Sequence, residues 1–158
     1  QKASEWNEYV PSSWSGDYNY GYVIVDDANH QMALVDPADV TSCMRIVEEE
    51  QKMGNRLVGV LTTHWHIDHA GGNGAFLARF PAITVYGRTS SENSALEKLG
   101  PHPDMLQYPW HVPEHINHEL QDGATFLIGA LSVRAILVPA HTDTHIAYLV
   151  AGNATEPP

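Results

Sequence analysis

The sequence predicts an α/β protein: a mixed sheet with helices on one face. Three observations lead there. Between Tyr20 and Tyr86, short β-branched runs alternate with helical patterns. The apolar run Leu57–Leu61 passes through a ligand-dense loop directly into a short helical stretch. Three alternating segments separated by glycine turns then follow between Ile116 and Leu137.

Residues 1–16 hold two tryptophans and little pattern, with a short strand expected near Glu8–Val10. Tyr20–Asp26 alternates and is aromatic and β-branched, so it reads as a strand. Asp27-Ala28-Asn29-His30 is a turn, and Gln31–Val35 is the return strand of a hairpin closed by Asp36-Pro37. Asp39 or Thr41 caps a helix that runs to about Met53. Val40, Met44 and Val47 form its apolar face, and Glu48-Glu49-Glu50 lie toward solvent. Gly54 suits the left-handed position that follows. Leu57–Leu61 is the central strand. A helix over 72–80 is stopped by Pro81, and Ile83–Tyr86 is another strand.

Residues 87–118 form a long irregular insertion. Ser91–Leu99 can make a short helix, but Pro101, Pro103, Pro109 and Pro113 exclude a regular helix throughout. The histidines of this stretch read as surface residues rather than ligands, and the segment itself as a lid or partner loop. Strands are expected at Ile116–Leu120, Ala124–Ile128, Leu131–Leu137 and His145–Val150, with turns at Asp122-Gly123 and Gly129-Ala130.

The chemistry concentrates in Thr62-Thr63-His64-Trp65-His66-Ile67-Asp68-His69-Ala70-Gly71-Gly72. Four candidate metal ligands lie within six positions, where a strand hands over to a helix. His64 and His66 are two apart, so in an extended segment both rings point the same way. Asp68 and His69 come after the chain begins to turn and can aim at a second point. Imidazole and carboxylate at this density suit zinc, with iron or manganese as alternatives. Ligands aimed in two directions suggest two ions about 3.5–4 Å apart. On sequence grounds alone Asp36 reads as a strand-ending aspartate before proline.

Composition narrows the partners. Lys+Arg 8 against Asp+Glu 19 gives a formal net charge of −11, a surface that repels phosphate backbones, so nucleic acid is excluded as a partner. No apolar run reaches the roughly 18 residues of a membrane span, and no basic-then-apolar leader is visible at the start. One domain is expected over 158 residues. The single cysteine, Cys43, cannot form an internal disulfide and reads as packing.

The His64-x-His66-x-Asp68-His69 pattern resembles the signature of the metallo-β-lactamase superfamily. The longer string Thr63–Asn73 resembles its glyoxalase II branch, the hydroxyacylglutathione hydrolases. Asn19-Tyr20-Gly21-Tyr22-Val23-Ile24, Ala33-Leu34-Val35-Asp36-Pro37 and Pro139-Ala140-His141-Thr142-Asp143-Thr144-His145-Ile146-Ala147-Tyr148 resemble further segments of that branch, in the same order. Ala140 replaces the glycine expected before the histidine. The resemblance implies an αββα sandwich, of which this chain holds the first half and the start of the second. It implies that His141 is the third imidazole for the ion held by His64 and His66, that Asp68 and His69 serve a second ion, that Asp36 lies beneath the loop, and that His145 is structural. It implies two zinc ions and a hydrolase of thioesters, with S-2-hydroxyacylglutathione giving glutathione and a 2-hydroxy acid. In it Asp68 is the catalytic carboxylate. It also implies an intracellular protein, cytoplasmic or mitochondrial. Related signatures occur in persulfide dioxygenases, lactonases and β-lactamases, and a non-catalytic interaction subunit is the alternative outside catalysis. A bridging aspartate and a later histidine of that branch are expected beyond residue 158, so 1–158 alone is expected to be inactive. Its second sheet is expected to be covered by further chain or by a partner.

Overall fold

The computed structural model describes residues 19–91, 94–95 and 114–152. The expected strand at Glu8–Val10 and most of the 87–118 insertion lie outside them. Strands β1 (Tyr22–Asp26), β2 (Gln31–Val35), β3 (Arg56–Leu61), β4 (Thr84–Gly87) and β5 (His118–Glu119) form one sheet in that spatial order. β1 and β2 are antiparallel and the remaining pairs are parallel, which makes the sheet mixed, as expected. Strands β6 (Thr125–Ile128), β7 (Leu131–Leu137) and β8 (Ile146–Ala151) form a second, antiparallel sheet.

Helix α1 (Val40–Lys52) starts where Asp39 accepts a 3.1 Å hydrogen bond from the Ser42 amide. It stops at Met53, ahead of Gly54 with φ +97°. Glu48 and Glu49 face solvent, but Glu50 is half-buried and accepts a 2.7 Å bond from the Asn55 amide, which corrects the expected fully solvated triad. Helix α3 (Asn73–Arg79) ends just before Pro81. A single turn, α2 (Ile67–Ala70), precedes it, where an irregular loop was expected. The anticipated strand Ile116–Leu120 shortens to two residues because Asn117 turns its side chain onto the Val85 amide and spends its own amide on the Val85 carbonyl.

Each face of the first sheet has its own partner. Met32, Leu34, Leu57, Val60 and Val85 pack with Val47 of α1 and Phe76 of α3. Ala33 and Leu61, with Val35, Val58 and Tyr86 at the margin, pack against Ile128, Val133, Phe126 and Tyr148 of the second sheet. Strict alternation would send Leu57 and Val60 to opposite faces. A bulge resolves this: Met32 lies opposite Leu57 and Ala33 opposite Gly59, so Val58 is the extra residue and the parity resets. Burying a side chain such as Phe76 stabilises the fold by about 1.5–3 kcal/mol.

The two sheets are also clasped at one end. Asp26 accepts hydrogen bonds from the Ala130 amide at 2.5 Å and the Asn29 side chain at 2.7 Å, and Gln31 accepts one from the Gly129 amide. The outer face of the second sheet presents Leu127, Ile136 and Leu149 to solvent. No helix among the described residues is long and apolar enough to cross a membrane.

Candidate metal centre

The metal loop leaves the C-terminal end of β3 and is pinned from both sheets. The Thr62 amide donates to the Tyr86 carbonyl of β4 at 2.9 Å. The Thr62 carbonyl accepts from the Tyr148 hydroxyl of β8 at 2.8 Å, and the Thr63 carbonyl accepts from the Ile146 amide at 2.9 Å. Burial, then the charge of Asp36, raises the Tyr148 pKa, so this phenol is a neutral donor. Gly72, just past α2, touches the backbone of Pro37, where any Cβ would overlap the carbonyl.

Three imidazoles converge above this base. His64 Nε2 lies 3.2 Å from His66 Nδ1, and His141 Nε2 lies 3.1 Å from the same atom. The donor atoms of the three residues all fall within 4.8 Å of one another. Zinc–nitrogen distances of about 2.0–2.1 Å place two nitrogens on one tetrahedral ion roughly 3.3 Å apart, so the spacing fits. His64 and His66 come from the loop after β3, and His141 comes from the β7–β8 connection, across the sandwich.

The hydrogen bonds behind the rings set their tautomers. Thr63 donates its hydroxyl to Asp36 at 2.6 Å, so its oxygen is left to accept from His64 Nδ1 at 2.9 Å. That leaves the Nε2 lone pair of His64 facing the cluster. Burial, followed by the charges of the neighbouring histidines, pushes the His64 pKa down to about 2, so the ring is neutral and ready to ligate. His145 stacks on His64 with centroids 4.6 Å apart and stands outside the converging group. Its pKa is lowered by burial and then by His141.

Asp68 and His69 form a second direction. His69 Nδ1 donates to Asp36 at 2.9 Å, which turns Nε2 toward Asp68, whose Oδ2 lies 3.6 Å away. Burial disfavours protonating His69, but the hydrogen bond and charge of Asp36, with the charge of Asp68, outweigh it and raise the pKa. The Asn19 amide donates to the Asp68 carbonyl at 2.5 Å and to its carboxylate at 3.0 Å. Asp36 accepts from His69, from the Thr63 hydroxyl and from the Thr63 amide.

Sequence reasoning missed Thr63 and Asn19 as supports. Both sit inside the motifs singled out above, but a threonine or an asparagine carries no ligand signature of its own. Of the histidines in 87–118, His102 and His111 lie outside the described residues. His115 packs on Gly74, and His118 lies against the Tyr86 ring; neither joins the group. A cavity of about 240 Å³ opens beside Asp68, lined by Asn19, Tyr20, Asp39, Cys43 and Ile46 among others. Burial, then Asp39, pushes the Cys43 thiol up to about 11, which fits a packing role.

A profile of the metallo-β-lactamase superfamily matches residues 16–153. The chain belongs to this superfamily. It is related to proteins with hydrolase names. It is 35% identical over 134 residues to a hydroxyacylglutathione hydrolase of Gloeobacter violaceus, which covers 85% of this chain and 45% of the relative. It is 31% identical over 140 residues to a probable hydroxyacylglutathione hydrolase of Schizosaccharomyces pombe, covering 87% and 46%. The chain thus spans about half the length of the curated relatives it matches. Among solved structures, ETHE1 from Myxococcus xanthus superimposes with a TM-score of 0.60 at 27% identity, covering 83% of this chain and 48% of that one. BJP-1, a subclass B3 metallo-β-lactamase of Bradyrhizobium japonicum, gives 0.62 at 20% identity, with 86% and 52% covered, a likeness of fold. The superfamily is metal-dependent, and the His64, His66 and His141 cluster of this member is able to hold a metal.

Proposed function

We propose that this chain is the metal-binding part of a thioester hydrolase that converts an S-2-hydroxyacylglutathione to glutathione and a 2-hydroxy acid. The supporting observation is the convergence of His64 Nε2, His66 Nδ1 and His141 Nε2 beside the Asp68–His69 pair, in a chain 35% identical to a hydroxyacylglutathione hydrolase.

In this reading His64, His66 and His141 hold one zinc ion and Asp68 and His69 contribute to a second, with iron or manganese as alternatives. When bound, the ions lower the pKa of water to about 7 and polarise the carbonyl. Two donors fall short of the roughly four that zinc takes, so a second ion would need ligands besides Asp68 and His69. The protein's own part is positional. Thr63 keeps the His64 lone pair forward, Asp36 aims His69, and Asn19 holds the Asp68 backbone and carboxylate together. Asp68, partly open to solvent, is the catalytic carboxylate that orients the attacking water. Hydrolysis breaks the carbon–sulfur bond: the hydroxyl joins the acyl carbon and the proton goes to sulfur.

The test is His66→Ala in the full-length protein. It should lose bound metal and the hydrolysis of S-lactoylglutathione, yet stay folded, because the core holds a domain of this size. Hydrolysis at the parental rate would overturn the assignment. A second reading, an interaction subunit without turnover, is favoured by the exposed Leu127, Ile136 and Leu149. It predicts metal binding without hydrolysis in that same full-length parent.

A further inference from the structure

We propose that Asp143 is a positioning residue for His141, held in place by Ser90 and Ser91; the inference rests on the metal-centre reading above. Two of the other imidazoles are steered by a side chain behind the ring: His64 by Thr63 and His69 by Asp36. His141 is the exposed member of the cluster, and its ring meets other imidazoles, those of His66, His64 and His145. Its direction therefore depends on the backbone of the β7–β8 connection. The base of that connection is closed by the Val138 amide on the His145 carbonyl, at 2.8 Å. Its tip is closed by Asp143, two residues beyond His141. The Asp143 carboxylate accepts from the Ser90 hydroxyl at 2.9 Å and from the Ser91 hydroxyl at 3.3 Å.

Ser90 is a firm anchor. It is fully buried, and its amide donates to the Glu114 carboxylate at 3.1 Å. Glu114 is buried too, and its carbonyl accepts from Asn73 at 2.9 Å. The same Asn73 amide group donates to the Thr62 hydroxyl at 2.8 Å. A continuous polar chain thus runs Thr62, Asn73, Glu114, Ser90, Asp143. One end lies two residues before His64 and the other two residues after His141. It links the two loops that share the ion, beside the bonds that Ile146 and Tyr148 make to the Thr63 and Thr62 carbonyls.

The experiment measures zinc affinity by competition with a chromophoric chelator, and the visible spectrum with cobalt(II) in the same site, on the full chain. Asp143→Ala and Ser90→Ala should each weaken zinc about 10–100-fold, the scale of other supporting contacts around metal sites. The cobalt spectrum should change as His141 leaves the ion. The double variant should be little worse than Asp143→Ala, since both cut one link. Asp143→Asn keeps one acceptor for Ser90 and should recover part of the loss. His141→Ala separates the two ideas. If it weakens zinc while Asp143→Ala and Ser90→Ala keep parental affinity and spectrum, the clamp is wrong and the three-imidazole site stands. If His141→Ala changes neither readout, the site assignment fails and the clamp with it. Should Asp143→Ala not fold, Ser90→Ala and Asp143→Asn give the same decision.

Discussion

Asp36 accepts a 2.9 Å hydrogen bond from His69 Nδ1 although the two residues are 33 positions apart. Asp36 reaches it from a left-handed backbone, φ +49°, which asparagine and aspartate tolerate better than most residues. Asp36→Asn therefore tests the bonds rather than the backbone. The amide has one oxygen in place of two, so it cannot accept both at the Oδ1 position, from the Thr63 amide, and at the Oδ2 position, from His69 and the Thr63 hydroxyl. Metal affinity should fall about 10–100-fold, with the ion near His69 lost first, as isothermal titration with zinc would show. Unchanged stoichiometry and affinity would remove Asp36 from the centre.

Thr63 joins Asp36 to His64 through one hydroxyl. Thr63→Val keeps the shape and loses that link, and Thr63→Ser keeps the link. Valine should weaken zinc binding by roughly tenfold or more while serine stays close to the parent. Equal effects from both would mean that the methyl group, not the hydroxyl, matters here.

Gly72 and Gly123 should respond very differently to alanine. At Gly72 a Cβ would meet the Pro37 carbonyl oxygen at 1.8 Å, backbone against backbone, with no flexible group to yield. At Gly123 the φ of +75° is strained for alanine, but the nearest atom is 3.9 Å away. We expect Gly72→Ala to cost roughly 3 kcal/mol or more and Gly123→Ala about 1 kcal/mol, read from urea denaturation.

Asp26 should give the inter-sheet clasp an acid sensitivity. The Ala130 amide, against an opposing contribution from burial, and the Asn29 side chain and amide hold its pKa below the ordinary 3.8. A depressed folded pKa means the contribution is complete above the unfolded value and is lost as pH falls through the folded one. Asp26→Asn should thus be less stable than the parent at pH 7, and the gap should close as the pH falls below 3.8. A gap independent of pH would show that the carboxylate charge has no part in the clasp.

Much of this was readable in the residues. β2 begins and ends where its β-branched and apolar run does, and α1 starts at Asp39 and stops ahead of Gly54, because caps and periodicity are local signals. The ligand types at His64, His66, Asp68 and His69 stand out for the same reason. The α2 turn was not readable, since four residues offer no period. Nor was the Val58 bulge, which is settled by what β3 faces on each side rather than by its own sequence. The supports Thr63, Asn19 and Asp143 are common polar residues whose partners lie far along the chain, and only the fold brings them together.

The three imidazoles come from two layers: His64 and His66 from the end of the first sheet, His141 from a connection in the second. An ion gripped by all three would be a cross-link between the layers. It would bind the docked sandwich and not the separated sheets, so its affinity would report how well the two are seated. A change deep between the sheets, at Val133 or Ile128, far from any ligand, would then register as weakened metal binding, and metal would in turn hold the layers closed against heat.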